Sequence, residues 1–171
     1  MTTRRPHRRG AAAVEAALVL GIFFVMLFGV FEYCRFLMVL HITNNAARDA
    51  SRYATVNVAN DQMTKAAILQ YATDRMGSVE RQLKNYQVAV YPCTAAGFAQ
   101  SPPQAVPKSL TASPADPFNS SDPNNAPWNQ ASFTERIAVT IIGNYEPVTP
   151  LILFLPSSIP IRITAVTGSE G

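Results

Sequence analysis

Hydrophobic positions are spread very unevenly along this chain. From Ala16 to Phe31 no residue is charged, and Glu15 is the one charge between Ala11 and Phe31. At about 1.5 Å of rise per residue, positions 11–31 cover roughly 30 Å, one hydrocarbon core. A buried core helix seldom combines that length with apolar residues all round, so the pattern predicts a membrane-spanning helix. The helical pattern then continues through EYCRFLMVLHITNNAARDASRYATV, which holds neither Pro nor Gly. Within it Ala46, Ala50 and Ala54 recur at every fourth position. The expectation is one helix from about Ala11 to about Ala54, roughly 65 Å long. Its inner half would span the membrane and its outer half would carry an external domain. Arg48 and Arg52 fall on one face, with Asp49 within reach of Arg52, and this reads as a solvated face.

The next stretch, DQMTKAAILQYATDRM, puts Met63, Ala67 and Tyr71 on one ridge of an amphipathic second helix. Asp61 is the expected N-cap and Gly77 the expected stop. Three later stretches, YQVAVYP, ERIAVTIIGNY and IPIRITAVTG, are rich in Ile, Val and Thr or alternate as strands do. Two helices and three strands make an α+β fold: a long N-terminal helix continuing into a small external domain with a second helix and an antiparallel sheet of about three strands. Between the first two strands, about Thr94 to Ser132, lie seven of the thirteen prolines. That composition predicts a long loop whose end Trp128 and Phe133 pin to the sheet. The apolar run Leu151–Leu155, flanked by prolines, is too short to span a membrane. It packs in a core, or against a membrane surface or neighbouring subunit.

Charge narrows the function little. The net charge is +3, but Arg4, Arg5, Arg8 and Arg9 supply four of the fourteen basic residues. The basicity is a local N-terminal cluster and not a domain-wide patch, which argues against a nucleic-acid partner. His7, His41, Cys34 and Cys93 show no metal-ligand spacing. No nucleophile–base motif or phosphate loop is present, so the sequence assigns no catalytic residue, cofactor or metal. Cys34 and Cys93 would both lie in an oxidising compartment, where a disulfide between them stays open, since bonding needs Cα atoms within about 7 Å.

The arginine cluster precedes the apolar run, whereas Glu32, Tyr33 and a single Arg35 follow it. The positive-inside rule places the N-terminus in the cytoplasm and everything after about Phe31 outside. The residues after the apolar run, GVFEYCRFLMVL, offer no small-x-small cleavage site, so the segment stays as an anchor. Ala13, Ala17 and Gly21 form a ridge of small residues. It is either ordinary membrane-helix composition or a face for close helix contact.

A basic leader ending in Gly10, followed by an apolar helix with Glu15 at its fifth position, resembles the class III signal of type IV pilin-like proteins. More specifically, GAAAVEAALVLGIFFVMLFGVFEYCRF with NNAARDASRYA is similar to the TadE-like minor pseudopilins of tight-adherence (Tad/Flp) pili. The C-terminal YEPVTPLILFLP and IPIRITAVTGSE are similar to the same family. The resemblance implies a basic leader at 1–10, a helix at 11–54 and an external domain at 55–171. It implies cutting at Gly10–Ala11 by a prepilin peptidase and a single-pass place in the bacterial inner membrane. Its implied partners are membrane lipid, other pilus or pseudopilin subunits and the pilus assembly machinery. Cutting would create an ammonium on Ala11, and Glu15 of a neighbouring subunit could neutralise it. The alternative is an uncleaved single-pass envelope protein whose external domain binds a partner.

Overall fold

The computed structural model describes residues 9–60, 62–94, 104–131, 135–148 and 156–168. The leader residues Arg4, Arg5 and Arg8, the anticipated cap Asp61, Phe133 and the run Leu151–Leu155 lie outside these. Two compact units are distinguished: Met1–Leu37 with Pro147–Ser157, and Met38–Glu146 with Ser158–Gly171.

The first helix, α1, runs without a break over Arg9–Val56. In the second unit its outer part buries one stripe: Val39, Thr43, Ala46, Ala47, Ala50, Ser51, Ala54 and Thr55. The spacing of three and four is that of one helix face. Most of these side chains are small, which lets the helix backbone approach its neighbours closely. The hydroxyls on the stripe are satisfied locally. Thr43 Oγ1 donates to the Val39 carbonyl at 2.7 Å, and Thr55 Oγ1 to that of Ser51 at 2.9 Å.

The second helix, α2, spans Lys65–Met76. It begins later than the sequence suggested, because Thr64 and not Asp61 is its cap: Thr64 Oγ1 accepts from the Ala67 amide at 3.2 Å. Gly77 ends it as expected, at φ 55°, a conformation that favours glycine. A 3-10 helix, Gly77–Gln82, follows and was not foreseen. Ile68, Ala72 and Met76 form the buried face of α2. Asp49, expected to reach Arg52, instead faces Arg75 of α2, 3.7 Å away. Arg75 also donates to the Tyr71 hydroxyl at 2.8 Å, and Tyr71 stacks on Tyr53 with ring centroids 4.3 Å apart. The aromatic pair thus holds Arg75 on the α1 side, where it replaces Arg52 as the partner of Asp49.

The sheet consists of β1 (Leu83–Cys93), β2 (Arg136–Tyr145) and β3 (Ile159–Gly168), antiparallel in the order β1-β2-β3. Asn85, at φ 53°, marks a bulge where the β1–β2 register shifts between Lys84 and Gln87. Alternation along the strands sorts side chains to two faces. On one, Val90, Ile137 and Val139 pack with Ala50, Ala54, Ile68 and Ala72 of the helices and with Trp128. On the other, Ala89, Tyr91, Cys93 and Ala138 pack with Ala105, Phe118 and Val166. A row of hydroxyls continues that second face: Tyr91 to Thr140 at 2.8 Å, then Thr140 to Thr164 at 2.8 Å. Burial holds the Tyr91 phenol above its usual range, so the row stays neutral at physiological pH.

The described part of the proline-rich loop, 104–131, is ordered by its own bonds. Pro107 bridges to Cys93 and Ser109 to Asn125. Asp122 accepts from the amides of Asn124 at 2.9 Å and Asp116 at 2.7 Å, which lowers its pKa. Lys108 Nζ lies 2.6 Å from Glu135 Oε1, beside the start of β2. Trp128, on the 3-10 turn Trp128–Gln130, enters the helix-side core, as anticipated for the loop's end.

Candidate functional site

The inner part of α1 differs from the outer part in kind. From Gly10 to Met26 every residue is exposed. The large apolar side chains from Val14 to Phe31 recorded as exposed are 42–69% accessible. Covering a dozen such side chains is worth on the order of 20 kcal/mol. A face of that size is covered by lipid or by other helices. Among the described residues this is one helix long and apolar enough to cross a membrane. Its rings are ordered along the helix: Phe24 stacks on Phe28 at 6.2 Å between centroids and meets Phe23 at 5.9 Å.

On this surface the helix carries the residues singled out for processing, assembly and helix packing. Ala11 and Glu15 are one turn apart, about 6 Å in rise, and therefore neighbours on one face. Glu15 is exposed and has no ion-pair partner among the described residues. Ala13, Ala17 and Gly21 form an exposed ridge. A Cβ placed on Gly21 would meet nothing within 4 Å, and the same holds at Gly10. No packing among the described residues requires a small residue at either position.

At the outer end of the apolar run stands a group whose role the sequence did not reveal. Glu32 is only 8% exposed. Its Oε1 lies 3.5 Å from Arg35 Nη1, and its Oε2 accepts from the Val148 amide at 3.2 Å. The i,i+3 spacing of Glu and Arg was the available signal, but the bond to Val148 spans more than a hundred residues and had none. This carboxylate fastens the chain after β2 to the helix within the first unit.

Both cysteines are free thiols, so the bond between Cys34 and Cys93 is not formed in this structure. Cys34 is exposed on α1. Cys93 is buried beside the second sheet face, and burial pushes its thiol up to about 12. Only about one such thiol in ten thousand is ionised at pH 8, and the thiolate is the reactive form. In a Cys34→Ser variant, Cys93 should therefore resist maleimide at pH 8 until denaturant is added. Rapid labelling of the folded variant, measured by mass, would contradict this burial.

The described residues hold no group of three His, Cys, Asp or Glu side chains that could bind a metal. What the first unit does offer is a long apolar helix with a carboxylate near its start and a ridge of small residues. Chemically that is a surface suited to an anchor in lipid. Residues 10–52 match the family model described as TadE-like protein, in agreement with the resemblance of the N-terminal block. The match covers the membrane-type helix and most of the outer stripe, and it begins at Gly10. No curated protein and no solved structure matches the chain.

Proposed function

We propose that this chain is a minor pseudopilin of the TadE-like kind, held in the bacterial inner membrane by α1 and built into a tight-adherence pilus through that helix. The observation that carries the reading is the fully exposed stretch from Gly10 to Met26, with Glu15 and the small-residue ridge on it. A helix with that surface is suited to lipid before assembly and to a bundle of like helices afterwards. The leader, residues 1–10, stays in the cytoplasm with its arginines, and the second unit lies outside.

A prepilin peptidase cuts between Gly10 and Ala11. The new ammonium on Ala11 stands at a helix N-terminus, where the dipole disfavours positive charge. Glu15 is one turn further on and favours it. In a bundle, Glu15 of one subunit faces the Ala11 ammonium of the next, and each charge removes the other's cost in a poorly solvated setting. Cutting thus generates the group that assembly needs.

The test is the mature N-terminus. Intact mass of the protein purified from cells with an active prepilin peptidase should correspond to a chain beginning at Ala11. A bulky residue in place of Gly10 should block the cut and leave insertion unchanged, since a Cβ there meets nothing within 4 Å among the described residues. Uncut native protein in such cells would replace this reading with that of an uncleaved, membrane-anchored envelope protein whose external part binds a partner.

A further inference from the structure

Among the described residues β3 is an edge strand, and the direction of its backbone groups follows from the register. The Pro92 carbonyl of β1 accepts from the Lys108 amide, so residue 92 faces away from β2. Its cross-strand partner Ile137 then bonds on its other side, to Thr167 of β3. By alternation Ile163, Ala165 and Thr167 bond to β2, while Arg162, Thr164, Val166 and Gly168 turn their amides and carbonyls outward. Pro160, which has no amide to give, falls on the outward side, in agreement. Edge strands are normally blunted by Pro and by charge. Here Pro160 and Arg162 blunt only the first part, and the stretch from Ile163 to Gly168 carries no such device.

Alongside that stretch runs a groove of about 510 Å³, lined by Asn44, Arg48, Ser51 and Arg52 of α1 and by residues 164–168 of β3. Ser51 Oγ and Thr167 Oγ1, 2.7 Å apart, join its two walls. Arg48 and Arg52 are exposed, and no anion pairs with either among the described residues. They are one helical turn apart, about 6 Å in rise. Alternate residues of a strand are about 6.7 Å apart. Two carboxylates at positions i and i+2 of an extended segment would therefore match the two guanidinium groups.

We infer that the groove takes an extended acidic segment of another protein, which adds a fourth strand to the outer edge of β3 and sets an Asp/Glu-x-Asp/Glu pair against Arg48 and Arg52. Backbone bonds to Thr164 and Val166 hold the segment, and the arginine pair selects its sequence. A second copy of this chain is the poorer occupant. Edge-to-edge pairing about a two-fold axis would bring both arginine pairs into one interface without an anion. The inference is independent of cutting at Gly10, since it rests on the second unit alone.

Full-length protein in detergent micelles, titrated with a fluorescent TVDVEVT peptide, tests it. Binding should slow hydrogen exchange at the Thr164 and Val166 amides and leave those of Ile163 and Thr167, already bonded to β2, unchanged. Reversing both charges, Arg48→Glu with Arg52→Glu, should weaken this peptide about tenfold, the size expected for two exposed ion pairs turned repulsive. The same variant should gain affinity for TVKVKVT, a rescue that loss of folding could not produce. Equal binding of both peptides to the native protein, unchanged exchange at Thr164 and Val166, or occupation of the edge by a second copy would overturn the inference.

Discussion

Glu15→Ala should yield a protein that is cut and inserted normally yet is incorporated into pili about tenfold less well. Two opposing effects meet at this position. A carboxylate at the centre of a membrane helix costs about 2.5–3.5 kcal/mol, and less towards the end where Glu15 stands. Alanine removes that cost, so insertion should improve slightly if anything. Under the proposed pairing, the same substitution would leave the Ala11 ammonium of the neighbouring subunit unpaired, at about 1–3 kcal/mol. On that reading the second effect decides assembly, because the unpaired charge would lie in the contact between subunits. Glu15→Gln separates charge from size: it keeps the shape and one acceptor oxygen but not the anion, and it should be nearly as harmful. Cross-linking to other pilus subunits and adherence, compared at equal protein levels, would measure this. Normal assembly of both variants would leave Glu15 as a carboxylate that the membrane interface merely tolerates.

Trp128→Ala should lower the stability of the second unit by about 3–5 kcal/mol, the usual range for removing a buried tryptophan. Trp128 is 5% exposed and belongs to the same buried core as Ile68 of α2, Val90 of β1 and Ile137 and Val139 of β2. Domains of this size have roughly 5–15 kcal/mol in all. The loss should shift thermal unfolding, followed by circular dichroism of the protein in micelles, by roughly 10–20 °C. A change below about 1 kcal/mol would show that the proline-rich loop lies against the fold without supporting it. The tryptophan is the only one in the chain, so its native fluorescence reports directly on the same core.

Both helices and all three strands were legible because each has a strong local signature. The apolar run marked the start of α1, the alanines at 46, 50 and 54 and the absence of Pro and Gly marked its continuation, and β-branched residues marked β2 and β3. The errors came where two local signals competed or where the signal was distant. Asp61 and Thr64 are both acceptable caps, and only the bond from the Ala67 amide distinguishes them. The reach of Asp49 to Arg52 followed from helix spacing, but a residue of α2, invisible to that spacing, took the contact. Prolines after Thr94 suggested irregular backbone, and the described part, 104–131, holds no helix or strand beyond the turn Trp128–Gln130. They did not show that Asp122 and Lys108 would order it, because those bonds have no periodicity. For the proposed site the residue types were legible near Gly10 and Glu15. The outward edge of β3 was not, since it depends on which strand pairs with which.

The alanine stripe on the outer part of α1 also bears on how the chain reaches its folded state. Part of its cover, Ile137 and Val139, comes more than eighty positions later in the chain. During synthesis this face emerges early and waits for β2, and contacts so remote in sequence form slowly. A stripe of leucines would be a sticky surface for that whole interval. Alanines expose little apolar area each, and they are the strongest helix formers, so the waiting segment keeps its conformation while offering chaperones, proteases and other nascent chains little to grip. The small side chains that permit close packing at the end also make the delay before packing safe.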